Sequence, residues 1–489
     1  MRFHVRIIVR VASVILLFEG ISMILPFIFA CYYKEYSVAT SFFCLSLLCV
    51  AAAETARRVI TDRSFNILSR EGYFTVIIAW LMVIAIGATP YYTSGLNYSF
   101  FDCLMESCAG WTTTGCTVMD YNILPKSLIL WKVVSSWLGG MGIIVLTTSV
   151  FPYLGIGGQR MASNEIPGPE LEKLTAHFGD TAKIIYSLYF FLTVLEFLLL
   201  LPTDMDIYFV LVNTLSSVST AGIVDLSSAQ SHFVITPYIK IVLACFSITS
   251  SVSFLSYFLI AKGKFKEALH NTEIRVFIRI FLIAGLLMSF FLYRSGVYTS
   301  YLPALGNGIV QSISFSTTTG FIIDNLSEWP TFCKVILVIL PLIGGCSFST
   351  SGGMKVIRFV VFIKLIKRGI YKRIHPRSIK PIMVQKKPIS AGSASGIAAF
   401  LLLYFGLFIV ASIIVSLDNY DMETCFSAVL ACLTNTGTSF GLMTGSDFSI
   451  FSGPVKFVLA IVMLAGRLEL YGVLILLAPS YWSAVRARR

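Results

Sequence analysis

The stretch ISFSTTTGF, residues 313–321, decides the fold of this chain. It places a run of small hydroxyl residues, ending in Gly320, between segments apolar enough to cross a membrane. One such stretch would carry little information, because Gly after Ser or Thr is common in turns. The same pattern occurs at three other places in the chain, and their spacing gives it meaning.

The four stretches are AGWTTTGCT (109–117), SSVSTAGIV (216–224), SISFSTTTGF (312–321) and ACLTNTGTSF (431–440). Their glycines are Gly115, Gly222, Gly320 and Gly437. Successive glycines are roughly a hundred residues apart, which indicates an internal repeat. About a dozen residues precede each motif, too few and too polar to cross a bilayer. The predicted unit is therefore span, short re-entrant helix, glycine loop, span.

The composition is that of a polytopic membrane protein. Of 489 residues, 56% are apolar, and several apolar runs are long enough for a hydrocarbon core about 30 Å thick. The net charge of +12 does not indicate nucleic-acid binding, because Lys and Arg collect in the cytoplasmic loops of membrane proteins. The eleven cysteines show no CxxC pair or zinc-like spacing, so no metal site is assigned to them.

Apolar runs between charged breaks predict an all-α fold with ten spans. The spans fall near 7–31, 38–56, 73–90, 128–153, 181–201, 235–261, 275–295, 332–360, 391–417 and 455–482. Two leading spans (1–71) precede four pore repeats, at 72–160, 161–273, 274–380 and 381–489. The expected architecture is a single-chain pore with pseudo-fourfold symmetry.

Charge alternates between the segments that connect the spans. Lys and Arg dominate one set, which includes both termini, and the positive-inside rule places that set in the cytoplasm. The opposite set is rich in Asp and Glu and almost lacks Lys and Arg. This acidity either serves solubility or forms a negative vestibule that concentrates cations at the entrance.

Four re-entrant loops can converge on one axis, because non-helical backbone at membrane depth is tolerated where it lines a watery path. Their carbonyl oxygens would replace the hydration shell of a cation. Glycine permits the backbone angles that turn carbonyls inward, and the C-terminal end of each short helix adds partial negative charge. The predicted filter residues are Thr113, Thr114, Gly115, Cys116, Thr220, Ala221, Gly222, Ile223, Thr318, Thr319, Gly320, Phe321, Asn435, Thr436, Gly437 and Thr438. We expect the Cys116 thiol at the outer mouth, within reach of thiol reagents.

Three longer motifs resemble a known family. They are WLGGMGIIVL (137–146), GGCSFSTSGGMKVIR (344–358) and MLAGRLELYGVLILLAPSYW (463–482), and with the fourfold plan they look like the Trk/Ktr/HKT potassium-transport superfamily. The two leading spans make the resemblance closer to the bacterial TrkH-type membrane subunit.

This resemblance implies potassium as the transported ion, with glycine as the selecting residue in all four loops. It also implies a homodimer in the bacterial cytoplasmic membrane and a cytosolic, nucleotide-binding TrkA-type regulatory subunit. Ala221 and Asn435 depart from the Thr pattern, so we expect a selectivity less strict than that of a four-subunit channel.

The eighth predicted span contains GGCSFSTSGG, residues 344–353. Gly costs a helix about 1 kcal/mol relative to Ala, so four glycines among hydroxyl residues predict an interruption. Small residues also serve close helix packing in membranes, and this alternative stays open. The resemblance implies an intramembrane gating loop of Gly344, Gly345, Cys346, Ser347, Phe348, Ser349, Thr350, Ser351, Gly352 and Gly353. Phe348 is larger than the residue usual there, and either enlarges the closed loop or packs on a neighbouring helix.

Arg467 lies near the middle of the last predicted span, where an arginine costs about 2.5–3.5 kcal/mol on insertion scales. One interpretation is an ion pair with another span, through Glu19 or Glu196. The other, which the resemblance implies, is a positive barrier below the filter. Glu469 is two positions on and faces elsewhere on a helix, so it is not the expected partner.

The basic stretch 355–387 has two interpretations. It either marks topology and contacts anionic lipid, or it receives the TrkA-type partner that the resemblance implies. The sequence contains no Walker loop and no strand-borne GxGxxG, so we expect no organic cofactor in this chain and nucleotide sensing in the partner.

The sequence favours a potassium-conducting subunit, driven by membrane potential or coupled to H⁺ or Na⁺. The alternative is a sodium- or proton-coupled carrier with alternating access, a class that more often shows two related halves than four quarters. An enzyme is not expected, because the five histidines are far apart and form no HExxH motif.

Overall fold

The structure is a computed structural model that describes residues 5–60, 69–145, 178–223, 235–378, 381–384, 387–443, 445–470, 472–473 and 479. These residues form mainly helices. The helices are α1 (Val5–Ser22), α2 (Ile24–Tyr32), α3 (Tyr36–Val59), α4 (Ser69–Tyr92), α5 (Phe100–Trp111), α6 (Lys126–Val145), α7 (Phe178–Leu200), α8 (Ile207–Val218), α9 (Pro237–Ser251), α10 (Phe254–Ala261), α11 (Phe265–Leu269), α12 (Thr272–Arg294), α13 (Tyr301–Ser316), α14 (Thr331–Ile343), α15 (Val356–Ile374), α16 (Ala391–Val415), α17 (Met422–Leu433) and α18 (Gly453–Arg467).

The helical fold is confirmed, with one small exception. Strand β1 (Met383–Val384) pairs antiparallel with β2 (Lys387–Pro388), at the end of the basic stretch 355–387, for which no strand was predicted. Each strand has two residues, so the pairing does not alter the helical architecture.

Several helices are long and apolar enough to cross a membrane. Among the described residues five meet this criterion, at Ile8–Tyr32, Tyr36–Val59, Phe74–Tyr92, Thr272–Arg294 and Ala391–Asp418, and the bent pair α9–α10 makes a sixth if it is counted as one span. Large apolar side chains are exposed on the outer faces of these helices, for example Phe18, Leu48 and Leu402, as expected for surfaces that face lipid. The chain is therefore a helical membrane protein, whereas the exact count of ten spans stays a prediction. Residues 146–153, 471, 474–478 and 480–482 of the predicted fourth and tenth spans lie outside the described residues.

Two predicted spans contain breaks that were not predicted from the sequence. The first is divided at Met23, because Pro26 has no amide to donate to the turn before it. The sixth bends by 87° between α9 and α10. At that bend the Phe254 amide donates to the carbonyl of Phe348, at 3.0 Å, and so leaves the helical pattern.

The last predicted span is interrupted earlier than expected. Helix α18 ends at Arg467, and the next residues close it with bonds from the Glu469 amide to the Gly466 carbonyl and from the Leu470 amide to the Ala465 carbonyl. This is a Schellman-type helix end, with Glu469 and Leu470 in the left-handed region at φ 53° and 60°. Arg467, predicted near the middle of the last span, is therefore the last residue of its helix.

Four short helices, α5, α8, α13 and α17, correspond to the predicted re-entrant segments. Side chains cap the starts of two of them: Ser99 and Asp102 form a capping box on α5, and Asp421 accepts from the Thr424 amide on α17. Each short helix contacts the helix before it, the helix after it and one further helix. The further helix is α18 for α5, α6 for α8, α9 for α13 and α14 for α17, which closes a cycle of four.

Candidate ion pathway

The four short helices end in the same backbone conformation. In each, the residue just before the motif glycine donates its amide to the carbonyl five residues back, at 2.9 Å. These residues are Thr114, Ala221, Thr319 and Thr436. The bond is the mark of a Schellman end, which requires a left-handed residue at the preceding position. The four loops therefore share one local fold despite different sequences.

The left-handed residues are Thr113, Thr220, Thr318 and Asn435, with φ between 53° and 56°. A positive φ is a genuine outlier for a β-branched residue and costs roughly 1–2 kcal/mol. Three threonines carry this strain, and strained backbone concentrates at functional sites. Two of these residues, Thr220 and Thr318, contact the segment 344–353, as described below.

The motif glycines bring the four loops together. A Cβ on Gly115 would overlap the Ala221 carbonyl oxygen, and one on Gly222 would overlap that of Thr319. The contacts continue from Gly320 to the Thr436 carbonyl and from Gly437 to the Thr114 carbonyl. Each loop thus presses a carbonyl against the glycine of the previous loop, and the fourth returns to the first. The result is a closed ring of backbone.

Two carbonyls of the predicted filter are committed elsewhere. The Phe321 oxygen accepts from Gln311 Nε2 at 3.1 Å and from Ser314 Oγ at 2.7 Å, which uses both lone pairs. The Cys116 oxygen accepts from Lys132 Nζ at 2.6 Å, and a cation would be repelled by that ammonium. We therefore remove the Cys116 and Phe321 carbonyls from the predicted ion ligands.

The expectation that the Cys116 thiol is accessible at the outer mouth is also wrong. Its side chain is fully buried, and its Sγ lies 4.0 Å from Met463 Sδ. The backbone of the loop faces the ring while the side chain packs behind it.

Each loop is braced by a different side chain of its short helix. Ser216 Oγ accepts from the Ile223 amide in the second loop, and Ser427 Oγ exchanges two bonds with the Phe440 backbone in the fourth. Gln311 and Ser314 brace the third. These bracing side chains lie at different positions along their short helices and differ in chemistry.

The first loop has a charged brace. Glu106 accepts from Thr117 Oγ1 at 3.0 Å and from the Val118 amide at 3.0 Å. Lys132 Nζ lies 2.6 Å from Glu106 Oε1, and both side chains are fully buried. Because Lys132 also holds the Cys116 carbonyl, this ion pair fixes both sides of the loop. Sequence analysis missed the pair, although a Glu in a re-entrant helix and a Lys in a span were each an available signal.

Lys132→Met should lower the free energy of unfolding by about 3–5 kcal/mol, because it leaves the Glu106 carboxylate buried and unpaired. Glu106→Gln added to it removes the stranded charge and should restore part of the loss. Thermal unfolding of the purified chain in detergent measures both. Equal stability of Lys132→Met and the unchanged chain would contradict the assigned role of the pair.

The segment from Gly344 to Lys355 is not helical, as predicted from its glycines. It leaves the end of α14 with Gly344 at φ 70° and joins α15 after Gly353 and Lys355, at φ 73° and 72°. Phe348 is also left-handed, at φ 58°, and half-buried, so it neither lies free nor fills the core. The helix-packing alternative is therefore not needed to explain these glycines.

The segment 344–353 lies directly against the ring. The Gly352 amide donates to Thr318 Oγ1 at 2.7 Å, and the Gly353 amide donates to the Thr434 carbonyl at 3.1 Å. Thr350 Oγ1 lies 3.3 Å from Thr220 Oγ1. The segment thus bonds to the second, third and fourth loops.

Arg467 joins the same segment. Its guanidinium donates to the carbonyls of Thr350 at 2.7 Å, Gly139 at 2.9 Å and Gly140 at 3.3 Å. The side chain is 4% exposed. Neither Glu19 nor Glu196, the predicted alternative partners, bonds to it: Glu196 accepts from Ser217, and Glu19 has no hydrogen-bond partner among the described residues. The positive charge of Arg467 is therefore stabilised by backbone carbonyls, one of which belongs to the segment 344–353.

Glu469, which was not expected to pair with Arg467, has its own partner, although it lies beyond the end of the helix. It forms an ion pair with Arg358, whose guanidinium also lies 4.2 Å from the centre of the Phe400 ring. Asn435 is a further residue that the sequence did not single out as a contact. Its Nδ2 donates to Thr114 Oγ1 at 3.0 Å and to the Met463 carbonyl at 2.9 Å, which ties the fourth loop to the first.

A helical membrane protein whose interior holds a ring of four backbone loops belongs to the class of transport proteins. The TrkH family model, described as cation transport protein, matches residues 38–484. The chain belongs to this family, and it is accordingly a transport protein and not an enzyme, as predicted.

Relatives match over nearly the whole chain. The Trk system potassium uptake protein TrkH of Vibrio parahaemolyticus is 31% identical over 487 residues, which cover 98% of this chain and 99% of that protein. TrkG of Escherichia coli, with the same description, is 30% identical over 98% of this chain and 99% of its own. The crystal structure of the potassium transporter TrkH from Vibrio parahaemolyticus superposes with a TM-score of 0.86, at 29% identity, covering 98% of this chain and 100% of that one.

Proposed function

We propose that this protein takes up potassium across the bacterial cytoplasmic membrane through a single-chain pore with four filter loops. The observation that carries the proposal is the closed ring of glycine and carbonyl contacts. Such a ring supplies several fixed oxygens at one level, which is what a dehydrated monovalent cation requires. The names of the relatives, which are potassium uptake proteins, support potassium as that cation.

The filter consists of the backbone of Thr113 to Gly115, Thr220 to Ile223, Thr318 to Gly320 and Asn435 to Thr438. Within it the Gly320 carbonyl accepts from Thr438 Oγ1 at 2.6 Å, so that oxygen has one lone pair left for an ion. The loops differ in sequence, and this supports a selectivity less strict than in a pore of four identical subunits.

The proposed topology has ten spans, two leading and eight in four pore repeats with the boundaries given above. The cyclic packing of α5, α8, α13 and α17 on the longer helices supports it. The positive-inside rule places both termini in the cytoplasm and the acidic connections outside.

The segment 344–353 is proposed as the gate. Its bonds to three loops and to Arg467 support a blocking position directly below the filter. Arg467 adds a positive barrier there, since its guanidinium is balanced by carbonyl dipoles and not by a bonded carboxylate. Opening requires the segment to leave both sets of contacts.

A cytosolic TrkA-type subunit is the proposed regulator, and its proposed contact is α15. This helix exposes Ile366, Ile370 and Ile374 at four-residue spacing and carries Lys367 and Lys372 beside them. An apolar stripe flanked by lysines fits a partner surface, and it fits the anionic leaflet of the membrane as well. A homodimer is proposed on the family resemblance.

Uptake of ⁸⁶Rb⁺ into vesicles that contain the purified chain tests the proposed function. Unlabelled K⁺ should compete at concentrations at least about tenfold lower than Na⁺ or Li⁺, a difference of about 1.4 kcal/mol. Equal competition by Na⁺ would contradict the potassium assignment. Faster ⁸⁶Rb⁺ entry into vesicles preloaded with Rb⁺, at zero membrane potential, would favour the alternating-access carrier instead.

A further inference from the structure

The start of α12 holds a buried carboxylate that the proposed pathway does not use. Glu273 is the second residue of this helix and is 6% exposed. The Asn271 side chain caps the helix by accepting from the Glu273 amide at 2.9 Å. A glutamate in the first turn is favoured by the helix dipole, but this preference is satisfied equally well in water. Its burial therefore needs another explanation.

The explanation lies in what the carboxylate binds. Glu273 Oε1 accepts from the Ser347 amide at 2.7 Å and from Ser347 Oγ at 3.1 Å. The same oxygen accepts from the Ile357 amide at 3.3 Å. Ser347 lies in the proposed gate, and Ile357 lies in the first turn of α15, so one oxygen ties both flanks of the interrupted segment to α12.

These donors have few other partners. Ile357 is among the first residues of α15, whose amides have no acceptor within their own helix. Hydrogen bonds to a charged acceptor are roughly twice as strong as neutral ones. The carboxylate thus anchors this flank, together with the bonds of the Cys346 amide to Ser251 and of the Phe254 amide to Phe348, while the other end of the segment bonds to Thr318 and Thr434.

We propose that Glu273 is the positioning residue that holds the segment 344–353 in its blocking position. Release of Ser347 and Ile357 from its carboxylate is then a step in opening. The chain reaches Glu273 directly from the lysine-rich connection 262–271, so a force applied there acts on the anchor. This inference rests on the proposed function of the segment as a gate.

Glu273→Gln in the full chain tests the proposal, because it keeps the size of the side chain and removes its charge. Basal ⁸⁶Rb⁺ flux should rise about fivefold or more, with the preference for K⁺ over Na⁺ unchanged. A purely structural role would instead lower flux or erode selectivity. The matched control is Glu19→Gln, the same change at a buried glutamate that has no hydrogen-bond partner in the described part of the chain, and it should leave flux unaltered.

A second measurement follows the segment itself. Cys346, next to Ser347, is fully buried, and a thiol reagent on the cytoplasmic side should modify it faster in Glu273→Gln than in the unchanged chain. Mass spectrometry of the peptide separates Cys346 from the other cysteines. Glu273→Asp, whose carboxylate is one methylene shorter, should give an intermediate rate and serves if the Gln variant does not insert.

Unchanged or reduced flux, or an unchanged rate at Cys346, would overturn the proposal. Deletion of residues 345–350 is measured in parallel. If the deletion raises flux and Glu273→Gln does not, the anchor is refuted and the gate stands. If the deletion also leaves flux unchanged, the proposed gate fails, and the anchor fails with it.

Discussion

Gly437→Ser is expected to reduce the preference for K⁺ over Na⁺ about tenfold or more. A side chain at this position would overlap the carbonyl oxygen of Thr114, so the first and fourth loops must separate. Gly437 also has φ 74°, where an L side chain costs roughly 1–2 kcal/mol. A change of about 1.4 kcal/mol in relative ion binding already corresponds to tenfold.

The measurement is competition of Na⁺ and K⁺ against ⁸⁶Rb⁺ uptake, with Gly115→Ser as the second ring variant, since its Cβ would overlap the Ala221 oxygen. Gly296→Ser is the matched control. Gly296 has nearly the same backbone angle, φ 77°, but nothing lies within 4 Å of a Cβ there. This control therefore reports the effect of backbone strain alone, without displacement of the ring. Unaltered selectivity in both ring variants would refute the filter assignment.

Deletion of residues 345–350 should raise basal flux at least about tenfold. The deletion removes the bonds of the Cys346 amide to Ser251, of Thr350 to Ser250 and of Arg467 to Thr350. At about 1 kcal/mol for each hydrogen bond, their sum exceeds the 1.4 kcal/mol that corresponds to tenfold. Flux of ⁸⁶Rb⁺ without the cytosolic partner measures the effect.

A smaller change separates the gate from general damage. Thr350→Val keeps the shape of the side chain and removes its hydroxyl bonds to the Ser250 carbonyl and to Thr220 of the second loop, so flux should rise by a lesser factor. Thr249→Val is the control, because the Thr249 hydroxyl bonds only to Phe246 of its own helix. Lower or unaltered flux in the correctly inserted deletion would count against a gate in this segment.

Much of the helical plan could be predicted because it follows from local rules. Apolar length locates the membrane helices, and the glycines at 344–353 indicate the interruption that the structure contains. The four motifs could be recognised as equivalent because only their pattern, and not their exact sequence, fixes the shared helix end. Which loops would contact each other could not be predicted, since they lie roughly a hundred residues or more apart in the sequence.

The errors have specific physical causes. The bend at Phe254 involves neither Pro nor Gly, and the glycine at the end of α18, Gly466, still lies within the helix, so neither break was predicted. Tertiary bonds and a Schellman-type end at Glu469 produce them instead. The burial of Cys116 depended on which face of the loop meets the ring, and side-chain alternation cannot be read from an irregular loop. The Glu106–Lys132 pair required knowledge of both helices at once.

The different braces behind the four loops have a consequence for how this pore can change over generations. In a ring of identical subunits, one codon sets all four quarters, so any replacement is imposed fourfold. Here one quarter is held by a Glu–Lys pair and another by Gln311, and a single nucleotide change touches only one of them. Mutations in such a gene can therefore change the ion preference of one loop at a time, while the other three loops preserve conduction.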